Sequence, residues 1–355
     1  MHFDDGQIPA EYSRHIRQKT FFIAAGLLLA GAMLVTSIGM GPVSISAPEA
    51  LLTLLGDTVT KRFDLIIWNI RLPQALTALA AGAGLSVSGA VMQAILRNPL
   101  GSPFTLGISH AAAFGAAVSV MLLDLGTMAS SNVGAVNINS PYLTTMIAFG
   151  FSLVATFAII AISRTRRATP EVMVLTGVAL GALFTAGTMF LQYFADDVQL
   201  AAMVFWTFGD VARATWTELG IISAVTAAAY IWFTANRWNF NAIEAGDETA
   251  KGLGVKVERV RLTGMLLASL VTAVIVSFLG IIGFVGLVCP HMVRRIIGDD
   301  YRFLLPASCI VGAVLLLAAD TAARLMLAPN VLPVSVLTAF LGAPVFIWLI
   351  IRGSK

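Results

Sequence analysis

The chain has 355 residues, of which 58% are hydrophobic and only 12% are charged, and its formal net charge is +3 at pH 7. An average soluble domain is about a quarter charged, so this composition excludes a soluble globule of this size, as well as disorder, collagen and a disulfide scaffold. It is typical of a polytopic membrane protein, because about 206 apolar residues suffice for up to about ten spans of roughly 20 residues each.

The first predicted element is a membrane helix over 21–40. The polar segment 1–20 before it carries Arg14, Arg17 and Lys19. Positive charge before an apolar run also occurs in signal peptides, but this run is long and has no convincing small-residue cleavage site. We therefore interpret 1–20 as a cytoplasmic N-terminal segment and 21–352 as a single transmembrane domain.

Positive residues recur along the chain and separate the later apolar runs into pairs. They lie at Arg14/Arg17/Lys19, Arg97, Arg164/Arg166/Arg167, Arg237 through Arg261, Arg294/Arg295/Arg302 and Arg352/Lys355. Positive residues favour the cytoplasmic side, so an even number of crossings is expected between neighbouring clusters. This rule predicts further spans over 73–96, 103–124, 142–163, 171–194, 216–235, 303–325 and 333–351.

The interval between Arg261 and Arg294 holds 32 residues without an acidic or basic side chain. One straight helix of this length would measure about 48 Å, whereas the hydrocarbon core is about 30 Å thick. Glycines at 280–286 favour a fold back, which predicts helices over 262–279 and 284–297. The predicted fold is therefore an all-α polytopic membrane protein with ten transmembrane helices and both termini cytoplasmic. It places 17 of the 22 lysines and arginines inside.

The longest predicted cytoplasmic connection runs over 236–261. Its centre, from Gly246 to Leu253, reads Gly-Asp-Glu-Thr-Ala-Lys-Gly-Leu. Asp247 and Lys251 have the i,i+4 spacing of an acid–base pair, which favours a short helix beginning at Asp247. The pattern alone leaves two interpretations open, a solvated connection and a docking helix for a cytoplasmic partner.

Two stretches, 80–90 and 177–187, consist largely of small residues. Small residues four apart let membrane helices approach closely, so close helix packing is the main interpretation. Lining of a transport pathway by the same helices is the alternative, and the two are compatible.

Motifs for catalysis, metal binding and nucleotide binding are missing from the sequence. Cys289, Cys309, His110 and His291 have no second ligand at metal spacing. No Gly-x4-Gly-Lys-Ser/Thr occurs, which excludes a P-loop. The sequence therefore predicts a chain without catalytic residues, metal or cofactor, whose transport is driven by another chain or by an ion gradient.

Asp320 and Arg324 lie four residues apart near the end of the predicted ninth helix. Charges inside a span are functional candidates, but an i,i+4 pair at a helix end explains them about as well. An ion-coupled carrier usually places acidic residues in the middle of the membrane. None lies clearly there, which disfavours such a carrier.

Several ordered motifs resemble the FecCD/BtuC-type permeases of bacterial ABC importers over roughly residues 20–352. The motifs are Arg71-Leu-Pro-Gln-Ala-Leu, Gly89-Ala-Val-Met-Gln-Ala, Asn98-Pro-Leu-Gly101, Gly177-Val-Ala-Leu-Gly181, Gly283-Phe-Val-Gly-Leu-Val, Pro290-His-Met-Val-Arg294, Leu304-Leu-Pro, Ala319-Asp-Thr-Ala-Ala-Arg324, Leu332-Pro-Val and Leu341-Gly-Ala-Pro-Val-Phe-Ile-Trp348.

The resemblance implies a multi-pass permease in a bacterial inner membrane. It would form a homodimer, or a heterodimer with a similar permease, surrounded by membrane lipid. Two cytoplasmic ATP-binding subunits would hold the ATP and Mg²⁺, and a periplasmic or lipoprotein binding protein would deliver the substrate. Family substrates are metal chelates, so a ferric siderophore is expected, with haem or cobalamin as alternatives; nucleic acid is not an expected partner.

The resemblance also assigns roles to individual positions. The predicted ATPase-coupling loop comprises Gly246, Asp247, Glu248, Thr249, Ala250, Lys251, Gly252 and Leu253. The predicted docking residues for the binding protein are Arg71 and Arg324, while Gln74 stands where the family often has a further arginine. The predicted gate and pathway positions are Asn98, Pro99, Thr169, Pro170, Glu171, Gly177 and Gly181.

Two rival hypotheses come from other classes of protein. One is a secondary carrier or channel that acts alone, and the other is an intramembrane enzyme, for which the sequence offers no nucleophile. Uptake that needs a partner ATPase would separate the importer from the first rival.

Overall fold

The structure is a computed structural model that describes residues 10–352 except for 42, 44, 58–59, 124–125, 129–135, 139–140, 166–168 and 327–330. The α-helices in this part of the chain are α1 (Ala10–Gly39), α2 (Ala47–Leu55), α3 (Lys61–Ile66), α4 (Leu72–Leu96), α5 (Ile108–Leu122), α6 (Pro141–Thr165), α7 (Pro170–Phe194), α8 (Asp197–Thr207), α9 (Trp216–Ala235), α10 (Arg237–Glu244), α11 (Asp247–Gly252), α12 (Val257–Leu279), α13 (Val285–Ile297), α14 (Tyr301–Met326) and α15 (Val334–Arg352). A π-helical turn, Ile67–Arg71, joins α3 to α4, and a 3₁₀ turn, Val211–Arg213, precedes α9. Strands β1 (Gly126–Met128) and β2 (Val136–Ile138) pair antiparallel, with Thr127 opposite Asn137.

Seven helical stretches within the described residues are long and apolar enough to cross a membrane. They are α1, the continuous run from α3 to α4, α6, α7, α9, α12 and α14, while α5 and α15 are shorter apolar helices. Apart from the small hairpin, the described chain is helical wherever it has regular structure, as expected for a polytopic all-α membrane protein. Arg166, Arg167 and Lys355 belong to the basic clusters used for the span prediction and lie outside the described residues.

Several helix ends differ from the ends of the predicted spans. α1 begins at Ala10 rather than near residue 21, because the polar segment before the apolar run contains good helix formers and no glycine or proline between Ala10 and Lys19. The span predicted over 103–124 becomes helical only at Ile108, after a turn. The connection predicted over 236–261 ends at residue 256 and contains two helices. The short helices α2, α3, α8 and α10 were not predicted.

Helix α4 lies at the centre of the bundle and packs against α9, α12, α13 and α14. Its small residues allow very close approach. A Cβ on Gly89 would lie 1.6 Å from the carbonyl oxygen of Gly286, and a Cβ on Gly82 would lie 2.3 Å from that of Gly312. The interpretation of the 80–90 stretch as a close helix-packing surface is therefore confirmed.

The charge-free stretch after Arg261 is interrupted, as predicted. α12 ends at Leu279, Gly280 has a φ of +79°, and α13 begins at Val285. The interrupted backbone is bonded to the chain before α9, since the amide of Asp210 donates to the carbonyl of Leu279 at 2.8 Å. Such bonds matter in an apolar environment, where unpaired backbone groups are costly.

The chain also reverses direction across this interruption. Arg261, near the start of α12, pairs with Asp247, whereas Arg294, near the end of α13, pairs with Glu244. Both partners belong to the segment 236–256, so the start of α12 and the end of α13 lie at the same end of the bundle. The predicted fold-back is therefore confirmed. We call this end the loop end and the opposite end the far end.

Candidate functional site

The segment 236–256 at the loop end holds α10 and α11, separated by Gly246. Gly246 has a φ of +123°, a conformation that side chains with a Cβ rarely adopt, so glycine is needed at this joint. In α11 only Ala250 is buried. The residues exposed around it are Glu248, Thr249, Lys251, Gly252 and Leu253. Leu253 is 71% exposed, which leaves an apolar side chain among charged ones at the tip of the loop.

Helix α10 fixes the first half of the loop to the bundle. The buried ring of Phe240 packs between Trp232 and Tyr301, with centroid separations of 6.2 Å and 5.6 Å. The Asn241 side chain accepts a hydrogen bond from the backbone amide of Tyr301 at 3.0 Å. Glu244 pairs with Arg294 of α13 at 2.5 Å. Burial raises the pKa of the Glu244 carboxyl, although the charge of Arg294 acts to lower it.

A second ion pair fixes α11. The Asp247 carboxylate accepts two hydrogen bonds from Arg261 Nη2, at 2.8 Å and 3.1 Å. Arg261 is 1% exposed, and its Nε donates to the carbonyl of Ile95 in the last turn of α4 at 2.8 Å. One guanidinium group therefore joins α11, α12 and α4.

The i,i+4 pair predicted between Asp247 and Lys251 is wrong. Lys251 instead pairs with Glu248 at 2.8 Å, because Asp247 is turned toward Arg261. A hydrogen bond from Lys251 to Glu248 raises the pKa of the lysine ammonium. The two acidic residues of the predicted coupling loop thus differ in environment: Asp247 is held by the bundle, and the Glu248 side chain is 89% exposed.

The two arginines predicted to dock a binding protein both lie at the far end, beside the end of α1. Arg71 is 5% exposed and donates from Nη1 to the carbonyls of Ile38, at 2.7 Å, and Gly39, at 3.1 Å, and from Nη2 to the carbonyl of Val43. Arg324 is 9% exposed, and its Nη2 donates to Ser37 Oγ at 2.7 Å. Both guanidinium groups are therefore occupied within the chain.

Arg324 also belongs to a buried polar network. Its Nε donates to Asp320 Oδ2 at 3.1 Å, and Gln74 Nε2 donates to Asp320 Oδ1 at 2.9 Å. The i,i+4 pair between Asp320 and Arg324 was expected from the sequence, whereas the contribution of Gln74 was not. Because Gln74 is neutral, the Asp320 carboxylate is paired with one cation, that of Arg324. An arginine at position 74 would place a second cation beside Asp320.

The predicted gate residues lie at two helix ends. Asn98 and Pro99 form the turn after α4, in which Asn98 Oδ1 accepts the amide of Leu100 at 2.9 Å. Thr169 precedes α7, Pro170 occupies its first position, and the exposed Glu171 lies in its first turn. Helices α4 and α7 pack against each other.

Gly177 and Gly181, both predicted to line a pathway, face the turn before α5. A Cβ on Gly177 would lie 2.7 Å from Leu106 Cδ2, and one on Gly181 would lie 3.2 Å from Gly107 Cα. They therefore serve as packing positions in this conformation. The exposed surface of α7 is formed by other side chains, including Leu175, Val178, Leu183, Phe190 and Tyr193.

Comparison of the sequence with known proteins identifies the family of this chain. The sequence profile of the FecCD transport family matches residues 27–352. An ABC transporter permease protein of Methanocaldococcus jannaschii is 51% identical over 354 residues, 98% of this chain and 99% of that protein. The chain belongs to the FecCD transport family.

Two further comparisons are informative for this FecCD permease. The hemin transport system permease protein of Yersinia pestis is 37% identical over 328 residues, 91% of this chain and 94% of that protein. A solved structure of an ABC transporter of metal-chelate type, in an inward-facing conformation, has a TM-score of 0.81 and 30% identity. It covers 93% of this chain and 98% of the solved one.

The described part of the FecCD permease holds no group of three or more His, Cys, Asp and Glu side chains that could bind a metal ion. Cys289 is buried and Cys309 is half-buried, and both are free thiols. His110 packs against the ring of Phe104 at 5.5 Å, and His291 against that of Phe346 at 6.1 Å.

Sequence reasoning missed the residues that hold the loop to the bundle. Arg261 was counted only as a positive charge, Arg294 was counted as a positive charge and as part of a family motif, and Glu244 was given no role. Their partners are 14 and 50 residues away in sequence. The sequence offers one weak signal for these ion pairs, namely the acidic residues in the longest connection between membrane helices.

Proposed function

We propose that this FecCD permease is the membrane subunit of an ABC importer that moves an iron chelate across the cytoplasmic membrane. ATP and Mg²⁺ would be bound by two separate cytoplasmic subunits. The observation that carries the proposal is the firmly anchored α11, which projects from one end of a bundle of apolar helices. The absence of a P-loop from the sequence supports an energy source on another chain.

The proposed topology has ten crossings with both termini in the cytoplasm. The seven long apolar helices, the shorter α5 and α15, and the folded-back α13 together supply ten candidates. The start of α1 lies at the loop end, since Lys19 is 5.3 Å from the ring centroid of Phe303 near the start of α14. The loop end is therefore the proposed cytoplasmic end.

The proposed partners follow from the exposed surfaces. Gly246 to Leu253 would dock with an ATP-binding subunit through the exposed side of α11. The exposed apolar side of α7 favours pairing with a second permease, either an identical chain or a similar one. A periplasmic or lipoprotein binding protein would approach the far end, and a docking role for Arg71 and Arg324 there stays a prediction.

The proposed substrate is a ferric siderophore. Haem and cobalamin are the alternatives. A hemin permease and a vitamin B12 import permease are each 37% identical to this chain, and this similarity supports both.

Reconstitution in proteoliposomes tests both parts of the proposal. The chain is reconstituted with and without its ATP-binding subunit, and binding protein loaded with a radiolabelled ferric siderophore, haem or cobalamin is added outside. We expect siderophore uptake only with the ATP-binding subunit and ATP. Uptake by the chain alone under an ion gradient would overturn the importer, whereas ATP-dependent uptake of haem alone would replace only the substrate.

A further inference from the structure

A groove at the loop end separates the start of α1 from the end of α13. Its volume is about 530 Å³. Its walls change character along α1: His15, Gln18 and Lys19 come first, followed by Phe21 and Phe22, with Ile296 on the opposite side. From residue 15 to residue 25 the helix rises about 15 Å, which is enough to pass from the headgroup region into the hydrocarbon.

The groove is open at the surface of the described chain. Phe21 is 73% exposed and Ile296 is 60% exposed, and farther along α1 Leu28 is 77% exposed. A surface this apolar on the first membrane helix is typical of contact with lipid.

The polar half of the groove is positively charged. Lys19 has no carboxylate within 4.0 Å among the described residues. Its ammonium lies 5.3 Å from the ring centroid of Phe303 and next to Gly298, at the C-terminal end of α13. His15 likewise has no ion pair in this part of the structure.

The two acidic residues that directly follow Gly298 are each held in an ion pair. Asp299 pairs with Arg294 at 2.9 Å, and Asp300 pairs with Arg302 at 2.6 Å. The groove therefore has positive charge near its polar end and apolar side chains near its other end, which matches an anionic phospholipid.

We propose that this groove binds one anionic phospholipid, with the phosphate near Lys19 and His15 and an acyl chain along Phe21, Phe22 and Ile296. Basic pockets between membrane helices are known to favour anionic headgroups. The lipid would bridge α1 and α13, two helices that are far apart in the sequence. The site does not depend on the transported substrate. Because the groove lies at the loop end, the proposed orientation places the lipid in the cytoplasmic leaflet, and only this placement rests on the proposed function.

The test uses the full chain purified with its partner subunits and stripped of lipid in a neutral detergent. Native mass spectrometry then measures binding of dioleoylphosphatidylglycerol and dioleoylphosphatidylcholine. We expect a preference for phosphatidylglycerol that Lys19→Gln reduces about five-fold. Arg17→Gln is the matched control, since it removes the same charge from α1 at a position that does not line the groove.

A second variant keeps the charge. Ile296→Trp fills the apolar half of the groove and is expected to weaken binding of both lipids. It tests the site independently if Lys19→Gln fails to fold. Equal losses in Lys19→Gln and Arg17→Gln, equal affinity for the two lipids, or unchanged binding in Ile296→Trp would each overturn the site. Displacement of phosphatidylglycerol by millimolar inorganic phosphate would also overturn it, in favour of a soluble anion.

Discussion

The Arg261 guanidinium is almost completely buried, yet it bonds to a carboxylate in the loop and to a carbonyl at the end of α4. Removing one partner of a buried pair is costly because the other charge stays buried without compensation. Arg261 therefore does more than neutralise Asp247: it fixes where α11 lies relative to the central helix.

Arg261→Met is expected to destabilise the chain by roughly 3 kcal/mol, the low end for a buried pair, because the Asp247 side chain is 30% exposed. It should also reduce substrate uptake per ATP hydrolysed. Thermal unfolding in detergent and coupled uptake assays measure the two effects. Arg259→Met, the same change at an exposed position two residues earlier, should leave both unchanged. Equal melting temperatures for the two variants would contradict the role of Arg261.

Gly89→Ala is expected to be among the most damaging small substitutions, because its Cβ would meet the backbone of Gly286 rather than a movable side chain. A loss of roughly 3 kcal/mol, the upper end for overpacking, is expected in thermal unfolding. Gly150→Ala in α6 is the control, since nothing lies within 4 Å of the added Cβ. That variant should be stabilised by about 0.5–1 kcal/mol.

At the scale of elements, α11 is a short helix with little internal stability, since isolated helices of this length are marginal in water. Its position depends on the glycine joint at Gly246 and on the Asp247 ion pair. What it offers to a partner is its exposed side, with Glu248, Lys251 and Leu253 at the surface.

Charge reversal at the two adjacent acidic residues should have different results. Glu248→Lys is expected to weaken association with the ATP-binding subunit without changing the melting temperature, because this side chain is 89% exposed. Asp247→Lys places a second cation beside Arg261, so it should weaken this association and also lower the melting temperature. Co-purification and thermal unfolding distinguish them. Loss of stability in Glu248→Lys would show that the tip also supports the fold.

The elements predicted correctly from the sequence are those with strong local signals. Long apolar runs gave the membrane helices, and the glycines after Leu279 gave the interruption before α13. The short helices α2, α3, α8 and α10 were missed because each has only 6 to 11 residues, too few to form the long apolar run that marks a membrane span. The site was predicted only as a stretch of chain, since pairs such as Glu244 with Arg294 depend on tertiary contacts that residue spacing does not reveal.

At the scale of the whole molecule, α4 connects the two ends. Arg71 at its start binds the carbonyls at the end of α1, and the carbonyl of Ile95 at its other end accepts from Arg261. The two predicted partner surfaces are therefore joined by one buried helix.

Arg324 tests whether the far end is a docking surface or only a structural contact. Arg324→Gln leaves Asp320 buried without the ion-pair partner that the described residues give it, so a loss of roughly 3 kcal/mol is expected. The double variant Asp320→Asn/Arg324→Gln should recover most of the stability. If Arg324 docks the binding protein, both variants should lose affinity at low salt. Normal affinity in the stable double variant would remove Arg324 from the docking surface.

The fold-back between α12 and α13 has a mechanical consequence. Both legs of this hairpin are tied, through Arg261 and Arg294, to a single stretch of chain only a few residues long. A force applied to α11 is therefore transmitted to both α12 and α13. Close backbone contact between Gly89 and Gly286 resists sliding of α13 along α4. The movement that this linkage favours is a tilt of the hairpin and α4 together.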